Sequence, residues 1–197
     1  MRHLLIAIVL FACAPLMHAD LIYTLTEDGC TGGCGPAPYG TVTLKQGTNQ
    51  VLVSVALSPN ENFAGTGAGD ALEFNVAGAP AIQSITAGFA VGPAPDTAST
   101  FGTFKESVTC NTCKGATGPA GPLQFSVALT GITLSDFVAN SKGYYFSADI
   151  LGSNGKTGNV AANQAPITTP EPASIALFGG GLVVLGIVRR RKATPIA

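Results

Sequence analysis

The chain has 197 residues, a formal charge of −1, and 11% charged against 46% hydrophobic side chains. Between Asp20 and Thr169 ten acidic residues face five lysines and no arginine, a balance of −5 that leaves no basic patch for phosphates and excludes nucleic-acid binding. Tryptophan is absent and both histidines, His3 and His18, lie in the first nineteen residues.

The N-terminus reads as an address. Met1-Arg2-His3 is a basic start, Leu4 to Ala12 an apolar run, and Met17-His18-Ala19 ends on a small residue. That is the pattern of a secretory signal peptide spanning residues 1–19, cut between Ala19 and Asp20. Leu10-Phe11-Ala12-Cys13 is a weaker, lipobox-like alternative, with bulky Phe11 against it. After cleavage the exported chain has no histidine, so Ser-His-Asp and Cys-His catalysis and histidine-based metal sites are excluded.

Residues 20–160 carry the signals of a single all-β domain. Leu21 to Thr26 alternates and predicts a first strand, followed by a Gly/Cys loop from Glu27 to Pro38. Thr41 to Lys45 and the row Val51, Val53, Val55 and Leu57 predict a hairpin around Gly47-Thr48-Asn49. After a glycine-rich loop through Asp70, Leu72, Phe74 and Val76 point one way. Glu73 and Asn75 point the other, onto an expected solvated face. Ile82 to Phe89 and Thr103 to Thr109 predict further strands, separated by a loop from Val91 to Ala98. Cys113 to Pro122 is turn-rich. Leu123, Phe125, Val127 and Leu129 line a strong strand. Thr133 to Asn140 predicts two helical turns with Leu134, Phe137 and Val138 inward. Tyr144, Phe146, Ala148 and Ile150 mark the last clear strand. Gly152 to Gly158 is a turn, and residues 161–169 lose all pattern and read as a flexible tether. About eight short strands, one short helix and no alternating long helices imply a β-sandwich, of which a jelly roll is one arrangement.

Four cysteines remain after signal cleavage: Cys30, Cys34, Cys110 and Cys113. An even count in an exported chain implies disulfides. Three pairings are open. Local bridges close tiny loops worth about 2 kcal/mol each, whereas the first cross-link would close a loop worth about 4.5 kcal/mol. Proximity along the chain favours the local pairs. A four-thiolate zinc site is disfavoured by the oxidising compartment. A redox-active C-x-x-C at Cys110-Asn111-Thr112-Cys113 is disfavoured because no helix follows it.

Catalytic chemistry is reduced to carboxylates. Glu27, Asp28, Glu61, Asp70, Glu73, Glu106, Asp136 and Asp149 are available for a glycosidase-type pair, and nothing in the sequence selects two of them. Calcium would suit an acidic exported sandwich, with Glu61, Asp70 and Asp96 in loops, but no D-x-D-x-D run is present. No catalytic residue, metal ligand or cofactor is therefore assigned.

The last segment is a second address. Pro170-Glu171-Pro172 precedes Ala173 to Val188, sixteen uncharged residues, and Arg189-Arg190-Arg191-Lys192 closes the run before residues 193–197. As a helix the apolar run is about 24 Å long, a little short of a bilayer core of about 30 Å. The basic cluster places its C-terminal side in the cytoplasm, and Pro170 to Pro172 outside. The ordered text PEPASIALFGGGLVVLGIVRRRK resembles the PEP-CTERM sorting signal. The resemblance covers residues 170–192 alone. It implies export through the secretion machinery, transient residence in the inner membrane, and cutting near Pro170-Glu171-Pro172 by exosortase. It further implies a final place at the cell surface or outside the cell, in association with exopolysaccharide or biofilm.

The expectation is thus a non-enzymatic surface or matrix protein. Two rivals make different demands. A carbohydrate-binding or adhesive module needs exposed aromatics, for which Tyr23, Tyr39, Phe101 and Tyr145 are the candidates. A secreted polysaccharide-acting enzyme needs two carboxylates about 5 to 10 Å apart in a cleft.

Overall fold

The computed structural model describes residues 19–67, 69–168 and Gly181, and Asp20–Thr168 forms a unit of its own. In chain order the strands are β1 (Leu21–Leu25), β2 (Glu27–Asp28), β3 (Gly40–Gly47), β4 (Gln50–Leu57) and β5 (Asn62–Phe63). They continue with β6 (Leu72–Phe74), β7 (Ala81–Gln83), β8 (Phe89–Val91), β9 (Asp96–Ala98) and β10 (Gly102–Phe104). The last five are β11 (Glu106–Cys110), β12 (Leu123–Ala128), β13 (Phe146–Leu151), β14 (Thr157–Ala162) and β15 (Ile167–Thr168).

Two large antiparallel sheets and one two-stranded sheet, β10-β9, result. The first runs β15-β1-β3-β4-β12-β7 and the second β2-β14-β13-β6-β11-β8, with β5 paired to β13. The β3–β4 hairpin is the longest ladder, joining Gly40 to Leu57 and Gly47 to Gln50. Its turn is Thr48-Asn49, and Asn49 takes φ 53°, a left-handed conformation that asparagine tolerates better than most residues. Alternation does the rest: Val42, Leu44, Val51, Val53 and Val55 are all fully buried on one face.

The facing sheet supplies Phe74, Val108, Phe146 and Ile150 to the same core. Contacts between rings join the layers. Phe74 meets Phe125 with centroids 5.5 Å apart, and Tyr23 meets Phe146 edge-on at 4.9 Å. This is the two-layer sandwich the sequence implies.

Several elements depart from expectation. Ile82 to Phe89 is two strands in different sheets: Ile82 pairs with Val127 in the first and Phe89 with Cys110 in the second. The chain crosses between them through Ser84 at φ 54° and Gly88 at φ 91°. The expected two-turn helix is one 3-10 turn, Leu134–Asp136. The Asp136 carboxylate caps its start by accepting from the Thr133 N–H at 2.7 Å. The chain then extends so that Phe137 bridges to Val76, which buries Phe137 and turns Val138 out to 40% exposure.

The tether at 161–169 also starts later. Ala161 and Ala162 complete β14 and are fully buried. Ile167 and Thr168 pair with Ile22 and Leu21. The reading TGNVAA shows no alternation because β14 is buried on both faces, so the two-residue period has nothing to report.

The second sheet is covered on its outer side as well. A hairpin of β9 and β10 lies there, with Ala98, Phe101 and Phe104 packed on Ala161 and Tyr144 in a small separate cluster. Phe101 and Tyr144 meet edge-on at 4.8 Å. In consequence β13 is buried on both faces: Phe146, Ala148 and Ile150 toward the sandwich, Ser147 and Asp149 toward the covering loops.

Candidate functional site

Three features could carry function: the terminal addresses, the two cysteine loops and the covered face of the second sheet. Met1–His18 of the expected signal peptide lie outside the described residues, whereas Ala19 and Asp20 lead into β1. Pro170, Glu171 and Pro172, the basic cluster Arg189, Arg190, Arg191 and Lys192, and residues 193–197 also lie outside them. Among the described residues no helix is long and apolar enough to cross a membrane.

The cysteines pair locally. Cys30 is bonded to Cys34 and Cys110 to Cys113, with Cα atoms 5.5 and 5.4 Å apart. All four sulfurs are thus committed to disulfides, and none is available as a thiolate ligand. Asp28 organises the first loop. Its Oδ1 accepts from the Cys30 N–H at 2.9 Å. Its Oδ2 accepts from the Cys34 N–H at 3.0 Å and from the Tyr39 hydroxyl at 2.9 Å. Burial pushes the Asp28 carboxyl up, but these three donors outweigh it and hold the group below its ordinary range. Burial and the bond to Asp28 push Tyr39 up to about 12. Asp28, Cys30 and Cys34 bring three donor atoms within 4.8 Å of one another, and the bridge makes that group a disulfide with a capping carboxylate.

The covered face is polar, and this was not expected. Glu73 does point away from the sandwich, but it is fully buried instead of solvated. The β9–β10 hairpin and the loop at 64–70 roof it over, and no local sequence signal announces a roof that arrives from elsewhere in the chain. Cross-strand register sets the row. Asn159 faces Asp149 across β14 and β13, Ser147 faces Glu73 across β13 and β6, and Ser107 faces Glu73 across β6 and β11. Asp149, Ser147, Glu73 and Asn159 are fully buried.

The roof is bonded down. Thr66 donates its N–H to Asp149 Oδ2 at 2.8 Å and its hydroxyl to the same carboxylate. The Asp70 N–H donates to Glu73 Oε1 at 2.9 Å, and the Ser107 hydroxyl lies 2.6 Å from Asp70 Oδ2. Two glycines permit the close approach. A Cβ on Gly69 would collide with Glu73 Oε1 and stand 2.7 Å from Asn159 Nδ2, and one on Gly92 would strike Ser107 Oγ and Asp70 Oδ2. Burial pushes Glu73 up to about 8. It also raises Asp149 and Asp70, with Asp96 adding to the rise at Asp70.

Of the other acids, Glu61 is buried, with one oxygen unpartnered, and burial pushes it up to about 7. Glu106 is half-buried, and Asp136 serves the 3-10 turn. Glu27 lies on β2, in register with Ala161. The structure therefore gathers Asp70, Glu73, Asp96 and Asp149 and leaves Glu27, Asp28, Glu61, Glu106 and Asp136 apart from them. Asn159, Ser147, Ser107 and Thr66 were not singled out by sequence. The aromatic platform is not assembled, since Tyr23, Tyr39 and Phe101 are each only 2% exposed.

Comparison with known proteins identifies one segment. The family model of the PEP-CTERM protein-sorting motif matches residues 168–192. No curated protein and no solved structure matches the chain. The tail carries a PEP-CTERM motif, and that motif marks an exported protein processed by exosortase at a C-terminal sorting signal.

Proposed function

We propose, from the PEP-CTERM motif at residues 168–192, that Asp20–Thr168 is a non-enzymatic structural module delivered to the cell surface or extracellular matrix, where it associates with exopolysaccharide. In this reading the signal peptide directs entry, the apolar segment from Ala173 to Val188 holds the chain in the inner membrane, and cutting at Pro170-Glu171-Pro172 frees the sandwich.

The motif is the observation that carries this reading. The sandwich agrees with it in three ways. Two disulfides suit an oxidising compartment. Asp20–Thr168, the span between the two cuts, forms a unit of its own. Two of the gathered carboxylates are closed off: Glu73 and Asp149 have no exposed surface for a sugar to reach, which speaks against either serving in a hydrolytic pair.

The test is fractionation of cells carrying the protein with an epitope tag in an exposed loop such as Ser153-Asn154. The domain should be found in the matrix or surface fraction. It should shift to the inner membrane when exosortase is deleted, and to the medium when exopolysaccharide synthesis is deleted. Persistence in the inner membrane of otherwise normal cells would refute delivery. Unchanged retention without exopolysaccharide would refute that association.

A further inference from the structure

The covered face of the second sheet buries more negative charge than the protein neutralises. Asp70, Glu73 and Asp96 are mutual neighbours, and Asp149 is close enough to feel Asp70. Among the described residues no lysine forms an ion pair with any of the four, and the domain has no arginine. Buried, unpaired carboxylates are costly unless they take up a proton or a cation.

The neutral groups distinguish these two outcomes. Glu73 Oε2 and both amide atoms of Asn159 are buried with no hydrogen-bond partner, and Ser147 Oγ, also buried, has only the Glu73 carboxyl to turn to. The Asn159 amide end lies beside the acids, because its Nδ2 and Glu73 Oε1 both press on the same point beside Gly69, and a half-turn of the amide would present Oδ1 there instead. Ser107 adds to the deficit. Its Oγ lies 2.6 Å from Asp70 Oδ2 and 2.7 Å from the Pro93 carbonyl oxygen, and its one proton can satisfy only one of them. A proton on one carboxyl would remove one of the four charges and supply one O–H donor, enough for a single orphaned oxygen. A cation would take charged and neutral oxygens together.

We propose that this cluster is a divalent-cation site of the calcium class. Asp70, Glu73 and Asp96 supply charged oxygens, Asn159 supplies a neutral one, and Asp149, held by Thr66, adds negative charge from the side. The donor set is all oxygen, which selects hard cations over zinc or copper. Among the described residues no three of these acids bring oxygens within 4.8 Å of one another, so an ion with ligands at about 2.3 to 2.6 Å draws on at most two of them directly, the third acts through its charge, and neutral oxygens must complete the shell. An ion accepting about 6 to 8 oxygens in flexible geometry tolerates that arrangement, and octahedral magnesium does not. The ion would join β6 and β14 of the sheet to the loop at 64–70 and to the β9–β10 hairpin. It would clamp the roof where calcium is plentiful, outside the cell. The inference does not depend on the sorting reading.

The exported protein, stripped with EDTA, is titrated with calcium chloride and separately with magnesium chloride, by calorimetry and thermal unfolding at neutral pH. One calcium per chain is expected, with Kd on the order of 10⁻⁴ to 10⁻³ M and magnesium at least about 10-fold weaker. At a calcium concentration about 100 times Kd, Tm should rise by roughly 5 to 10 °C. Asp96 is half-buried on the β9–β10 hairpin, so Asp96→Asn should keep the near-UV circular dichroism of the parent. It should weaken calcium binding at least about 10-fold and abolish the rise in Tm. Glu73→Gln should do the same if it folds, and Glu61→Gln, outside the cluster, should bind like the parent. A folded parent with no bound calcium and an unchanged Tm at about 10 mM calcium would overturn the proposal. So would wild-type affinity in Asp96→Asn.

Discussion

Glu61→Gln tests how burial without a partner charge sets the pH dependence of this domain. Glu61 is only 2% exposed, and its Oε2 finds no partner. Burial dominates its environment, opposed by one backbone hydrogen bond near Ser58, and pushes the carboxyl from 4.5 to about 7. Its listening neighbour is Tyr39, itself bonded to Asp28, and no cation opposes it. Below pH 4.5 the group is neutral in both the folded and unfolded states, and its contribution is fully present. As pH rises from about 4.5 to about 7 the unfolded chain releases the proton first, so folding stability falls. Above 7 the loss levels off at roughly 3.5 kcal/mol, the interval from 4.5 to about 7 at about 1.4 kcal/mol per pH unit. Glutamine keeps the shape and removes the titration. Urea unfolding of parent and variant across this range, in fixed excess calcium, should show near-equal stability at acid pH. The variant should gain progressively toward pH 7. A difference between the two proteins that does not change with pH would refute the argument.

Other substitutions probe the remaining layers. Phe146→Ala removes a fully buried ring that meets Tyr23 at 4.9 Å and packs beside Phe74 and Phe137, and should cost about 3 to 5 kcal/mol in denaturant unfolding. Replacing Cys110 and Cys113 together by serine should cost about 2 kcal/mol and leave the Cys30–Cys34 bridge intact by peptide mapping, because each bridge closes only its own small loop. Gly69→Ala should fail to fold or lose several °C in Tm, since its Cβ meets Glu73 and Asn159; restored stability in Gly69→Ala/Glu73→Ala would trace the clash to that carboxylate.

Where one face of a strand meets the core and the other meets water, the sequence announces it. Val51, Val53 and Val55 alternate with half-exposed neighbours, and the hairpin with Val42 and Leu44 follows directly. Where both faces are buried, the signal disappears. Glu73 looks like an outward residue because Leu72 and Phe74 flank it, yet the roof that buries it comes from loop 64–70 and from β9–β10. The same double burial hides β14, whose small residues read as a tether. Asp70, Glu73, Asp96 and Asp149 are scattered over eighty positions, and strand register together with the overlying loop and hairpin brings them together. The sorting tail is the opposite case. Its chemistry is written contiguously, PEP, apolar run and basic cluster, so it needs no tertiary structure to be legible.

The covalent state of the protein recovered from its native surface or medium tests delivery through the sorting motif most directly. Intact mass with and without reductant measures both processing and cross-linking. The expected chain begins at Asp20, ends at or beside Pro170-Glu171-Pro172, and gains about 4 Da on reduction, two hydrogens for each bridge. A mass that still contains Ala173 to Ala197 would contradict cutting at the sorting motif and make the tail a plain anchor.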